Sequence, residues 1–144
     1  MMKRLAAVAC FILSCGSGTI QAQDAASKST SAGVFTEEQA KQGAIAYNAN
    51  CASCHGAQLR STDREVPHLT DKSFQFNWVG KTIAEQFEAT RDTMPPREVR
   101  SLDDQVYLDI VAYILWFNKM PAGNQRLEPD LQKLKQIVIS APPG

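Results

Sequence analysis

Residues 51–56 read CASCHG, placing two thiols and an imidazole within five consecutive positions. C-x-x-C serves three chemistries: a redox dithiol, half of a zinc site, or the attachment point of a c-type haem when His follows at once. A structural zinc ion takes four ligands. Beyond the leader described below, the chain offers only Cys51, Cys54, His55 and His68. Cys54 and His55 are neighbours whose side chains diverge, so they do not easily share one ion. A thioredoxin-like dithiol follows a strand in a βαβ setting, whereas the pattern ahead of Cys51 is helical. Haem attachment accounts for every part. Two Cys three positions apart stand about one helical turn apart. Both sulfurs can then add to the two vinyl groups on one porphyrin edge, with the next residue's imidazole aimed at iron.

The start of the chain sets the expected compartment. Met1-Met2-Lys3-Arg4 is a short positive start, Leu5 to Leu13 are apolar, and a small, polar stretch ends in Ile20-Gln21-Ala22. That order predicts a secretory signal peptide over residues 1–22. The apolar run is too short to cross a bilayer as a helix. Ile12-Leu13-Ser14-Cys15 also approaches a bacterial lipoprotein box, so lipidation at Cys15, with the following Ser/Ala/Gly run as a tether, is the alternative. Either route exports the protein: to the periplasm, or to a membrane-anchored form facing it. Membrane attachment is expected only through Cys15.

Removing residues 1–22 from a chain of 144 leaves 122, enough for one domain. It also removes Lys3 and Arg4 from 15 basic residues set against 15 acidic ones, for a net charge of −2. Nothing in that balance points to nucleic acid.

The elements that must position the motif are helical. Residues 23–34 read as a flexible linker. Thr36-Glu37-Glu38-Gln39 reads as a capping box opening a helix to about Asn50. Gly43 inside it costs about 1 kcal/mol against Ala, which suggests that another helix approaches closely there. Residues 57–81 show no sustained alternation; Phe74, Phe76 and Trp78 alternate over too short a run to make a strand. Thr82-Ile83-Ala84-Glu85 is a second capping box for a helix to about Arg91, and Met94-Pro95-Pro96 ends it. Ser101 is expected to cap the last core helix, whose Val106, Ile110, Tyr113, Ile114 and Phe117 share one side. The reading is an all-α domain over residues 35–120, with three core helices, long loops and no sheet. Residues 121–144 form a tail carrying a short amphipathic helix from Pro129 to Val138. So small a domain with so much loop cannot bury enough apolar surface unaided, and a covalent haem would complete the core.

These pieces together resemble the single-haem c-type cytochromes with His and Met axial ligands. The matching residues are Gly43 and Tyr47, CASCHG at 51–56, Pro67-x-Leu69, Met94-Pro95 and Ile110 to Leu115. The resemblance implies a cytochrome c fold packed around one haem c, bound covalently through Cys51 and Cys54. It implies His55 and Met94 as the axial iron ligands. The Pro67 carbonyl is expected to accept a hydrogen bond from the other His55 ring nitrogen, and Trp78 either to donate to a haem propionate or to pack against the haem with another partner. Met94 lies 39 residues after His55, beyond the middle helix, where a loop can return the chain to the opposite haem face. His68 reads as solvent-exposed and Met120 as core filler. Arg91, Arg97 and Arg100 read as a solvated charged face or a docking rim.

Residues 101–134 are similar to cytochromes paired with periplasmic quinoprotein dehydrogenases. The implied function is electron transfer rather than catalysis: electrons come from such a dehydrogenase and pass to a downstream cytochrome or oxidase. Two alternatives stay open: a haem enzyme or gas or redox sensor with a labile sixth ligand, and a fixed cytochrome subunit of a larger oxidoreductase.

Overall fold

The computed structural model describes residues 28–142; the expected leader over 1–22, Cys15 and residues 23–27 lie outside them. In chain order the elements are β1 (Lys28–Ser29), a 3-10 turn (Thr30–Ala32), α1 (Glu37–Asn50), α2 (Ala52–His55), α3 (Asp71–Trp78), α4 (Ile83–Thr93), α5 (Asp104–Phe117), α6 (Leu131–Leu134) and β2 (Ile137–Val138). The fold is all-α. Its only sheet among the described residues is the two-residue parallel pairing of β1 with β2. No described helix is long and apolar enough to cross a membrane.

The crossing of α1 and α5 is the centre of the molecule. Gly43 makes it: a Cβ there would overlap the Asp109 carbonyl and stand 3.0 Å from the Tyr113 Cβ. Beside it, the Tyr47 and Tyr113 rings meet at 5.3 Å between centroids. Residues Tyr107 to Leu115 are all buried, so α5 is packed on every side.

Four expectations are corrected. The N-cap of α5 is Asp103 rather than Ser101, and its side chain makes no capping bond. At α1, Thr36 accepts from the Gln39 N–H at 3.1 Å, but the Gln39 side chain is drawn into a buried network instead of completing the box. The box at α4 is complete. Residues 71–78, read as irregular, form a helix.

The fourth correction concerns both ends of the described chain. Residues 28–34 are not a free linker, and the short helix expected from Pro129 to Val138 is confined to one turn. Helix α6 is a single turn, after which the chain extends so that β2 pairs with β1 and Val138 bridges to Thr82. Thr30 is fully buried because its hydroxyl bonds Ser140 Oγ at 2.9 Å and accepts the Ser140 N–H at 3.0 Å. Leu127, Leu134, Ile137 and Ile139 enter the same core as the helices. The tail also braces the start of α4: Gly80 N–H donates to the Ile139 carbonyl at 2.9 Å and Ile139 N–H to the Lys81 carbonyl at 2.8 Å. A buried carboxylate fastens it further. Asp109 on α5 accepts from Gln39, Gln105 and Arg126, while both Gln amides also reach the Leu127 carbonyl.

Candidate functional site

One cavity of about 950 Å³ lies between α2, α3, α4 and α5. That is near the top of the ordinary range for small-molecule sites, about 300–1,000 Å³. Ile110 and Ile114 of α5 form part of its apolar wall, and Cys51, Cys54, His55, Pro67, Trp78 and Met94 all line it. The sequence separates the first and last of these by 43 positions.

Local structure fixes each group. Helix α2 begins directly after Cys51, so Cys51, Cys54 and His55 share one helical turn. Tyr47 ties this turn down, its hydroxyl donating to the Gly56 carbonyl at 2.7 Å. His55 is 8% exposed, and its Nδ1 lies 3.1 Å from the Pro67 carbonyl. That bond sets the tautomer in which Nδ1 carries the proton and Nε2 keeps its lone pair for a metal. Burial, reinforced by neighbouring Cys54, pushes the Cys51 thiol up to about 11. Redox-active thiols show the opposite shift, so Cys51 is not an activated thiol.

Met94 caps the C-terminus of α4, and Tyr107 of α5 donates to its carbonyl at 3.0 Å. The backbone entering Pro95-Pro96 is thereby held against the cavity. Two further groups that could in principle donate to iron, His68 and Met120, are engaged elsewhere. His68 lines the cavity and is exposed, but its Nδ1 accepts the Ser61 N–H at 3.0 Å. Met120 is buried in the core, where the Thr30 hydroxyl reaches its sulfur at 3.5 Å.

Trp78 is half-buried in the wall, with the Lys81 ammonium 5.1 Å above its ring. Glu65, Lys81, Arg97 and Glu98 carry charge to the cavity. Arg91 and Arg100 both pair with Asp92, and Arg91 with Asp104 as well. Hydrogen bonds from Arg91, then Arg100, hold the Asp92 carboxyl below its usual range. Arg91 and Arg100 are therefore partnered on the molecule's own surface, whereas Arg97 makes no ion pair among the described residues.

Sequence reasoning overlooked Gln86. It lies on the α4 stripe with Ala89, Thr90 and Thr93 that leads to Met94, and it lines the cavity while almost wholly buried. Its spacing from Met94 by two helical turns was the available signal.

These residues fit a haem: an apolar slot, two thiols on one turn, an imidazole with a free Nε2, and a buried amide facing inward. No curated protein and no solved structure matches the chain. The family model described as cytochrome C oxidase, cbb3-type, subunit III matches residues 38–114, just over half of the chain. That stretch contains the CASCH turn, Met94 and the α1–α5 crossing. The chain belongs to this family of c-type cytochrome domains, and it is a haem-based electron-transfer protein carrying covalent haem c.

Proposed function

We propose that the protein is a periplasmic electron carrier whose haem is attached through Cys51 and Cys54 and ligated by His55 and Met94. Bound haem supplies a single redox-active iron that gains or loses one electron. Its surroundings do the rest. Pro67 orients His55 and raises its basicity, while Tyr107 and the two prolines hold the Met94 segment. Ile110 and Ile114 keep the slot apolar. The observation that carries the reading is that Met94 and His55 line one cavity while His68 Nδ1 and the Met120 sulfur are occupied elsewhere. With His55 and Met94 both donating to iron, a substrate would be kept from the metal, and Met/His ligation would set a relatively high potential. The electron comes from a periplasmic dehydrogenase of the quinoprotein class and leaves to a downstream cytochrome or oxidase. Support for that direction is the similarity of residues 101–134; support for the compartment is the leader-like pattern of residues 1–22.

The test is Met94→Ala. Wild type should show the weak sulfur-to-iron charge-transfer band when oxidised and exclude carbon monoxide when reduced. The variant should lose the band, bind carbon monoxide and have a lower potential. A variant that keeps the band and still excludes carbon monoxide removes Met94 as the ligand; a wild type that binds carbon monoxide returns the reading to an enzyme or sensor. The family's description favours one second reading, a cytochrome subunit fixed in an oxidase. A native mass equal to that of the lone chain at physiological concentration would set it aside.

A further inference from the structure

The cavity-facing stripe of α4 carries one side chain that no protein group satisfies. Gln86 is 1% exposed, and its Oε1 has no hydrogen-bond partner among the described residues. Amide oxygen and nitrogen exchange places by rotation about the last side-chain bond, so the unpaired end can present either an acceptor or a donor. Burying such a group without a partner is unfavourable. The partner is therefore to be sought on what fills the cavity.

A haem offers hydrogen bonds in few places. Its faces and ring edges are hydrocarbon, leaving the two propionates and any atom bound to iron. On the axial reading above, on which this inference rests, the iron belongs to Met94. Gln86 precedes Met94 by eight residues, about 12 Å along a helix, a separation that favours the other polar part of the haem. The edge bonded to Cys51 and Cys54 carries thioethers, which are weak acceptors. The propionate edge remains. Gln86 lies one turn into α4, a few residues after the connection that brings Asn77, Trp78 and Lys81 to the same cavity.

We propose that Gln86 is a positioning residue whose buried carboxamide, juxtaposed with Trp78 and Lys81, holds one haem propionate. Its N–H donates to the ionised carboxylate, or its carbonyl accepts from the protonated acid. The contact anchors the haem at the edge opposite its covalent bonds and satisfies the only buried side-chain atom left unpaired among the described residues.

The test uses haem-loaded Gln86→Leu and Gln86→Met, two apolar side chains of similar size, so that poor folding of one leaves the other. In both, the propionate-bending bands of the resonance Raman spectrum should shift and the midpoint potential should move. The sulfur-to-iron band should stay in place. Unchanged propionate bands with an equal or higher melting temperature would make Gln86 a mere unsatisfied core residue and overturn the proposal. A moved sulfur-to-iron band with propionate bands unchanged would assign Gln86 to the distal ligand and overturn it as well. A failure of the axial reading shows separately, as a missing sulfur-to-iron band in the wild type.

Discussion

Gly43→Ala sets two effects against each other at the α1–α5 crossing. Ala gains up to about 1 kcal/mol over Gly inside a helix. Its Cβ, however, would land on the carbonyl oxygen and carbon of Asp109 and 3.0 Å from the Tyr113 Cβ. The obstructing atoms are helix backbone, which cannot turn aside as a side chain could, so the two helices must separate. Overpacking usually costs about 1–3 kcal/mol and occasionally more; overlap with two backbone atoms belongs at the upper end. The net loss is about 2 kcal/mol. In a domain of this size each kcal/mol moves the melting temperature by about 3–6 °C, so a fall of roughly 6–12 °C is expected. The Tyr47–Tyr113 contact and the Ile110–Ile114 wall ride on the same crossing, so the sulfur-to-iron band should weaken along with it. The assay is a thermal melt of the haem-loaded variant by far-ultraviolet circular dichroism, with absorption followed in parallel. An unchanged or raised melting temperature would mean that helix propensity wins and that the crossing is not tight.

Other perturbations reach the tail, the α4 cap and the donor. Asp109→Asn removes the charge that Arg126 pairs with while keeping much of the shape; charge-assisted hydrogen bonds are worth about 1.5–3 kcal/mol each, but Arg126 is partly exposed, so a loss of about 1–2 kcal/mol is expected. Hydrogen exchange should show the Leu127 amide opening before the helices, and uniform protection would refute the coupling. At α4, hydrogen bonds from the Thr82 N–H and then its hydroxyl hold the Glu85 carboxyl below its ordinary value. Its contribution is therefore complete above the ordinary carboxylate pKa and is lost as pH falls through the depressed folded value. Glu85→Gln should flatten the acid limb of the stability curve below the ordinary carboxylate pKa, about 4.3; parallel acid limbs in matched melts would count against it. Quinoprotein dehydrogenases should reduce the protein faster than an unrelated reductase does, with rates that fall as salt is added; equal, slow rates from every donor would remove that partner class.

The parts legible in the sequence were those whose signal is local. CASCH announces its own chemistry, Thr82 and Glu85 sit at capping-box spacing, and a glycine in the middle of a helix asks for a close neighbour, which Asp109 supplies. The rest was hidden because the deciding partner lies far along the chain. Of the α3 aromatics, Phe74 and Trp78, four residues apart, turn inward, while Phe76 is 90% exposed and gives a false alternation. Leu131, Leu134 and Val138 have helical spacing, yet Val138 is extended because Ser29 and Thr82 offer it backbone partners. The small residues of 28–34 resembled disorder, but smallness there permits contact: a Cβ on Gly33 would stand 2.9 Å from the Ala122 carbonyl oxygen. Within the site, the CASCH turn could be read from residue type and order. Gln86 was marked only by its two-turn spacing from Met94, because its significance, the lack of a partner, shows only in the fold.

The pairing of β1 with β2 also determines where a mechanical load would go. A pull transmitted through the residues ahead of Lys28 first meets the bond from the Lys28 N–H to the Gln136 carbonyl, at 2.8 Å, and then the contacts of Thr30 with Ser140. Only beyond Phe35 does it reach α1, and the haem-facing end of that helix is a further 20 Å or so along its axis. The clasp therefore acts as a fuse. Tension on a tether would open the joined ends of the domain while Tyr47, the CASCH turn and the α1–α5 crossing kept their shape, so a tethered form could be tugged without losing its redox centre.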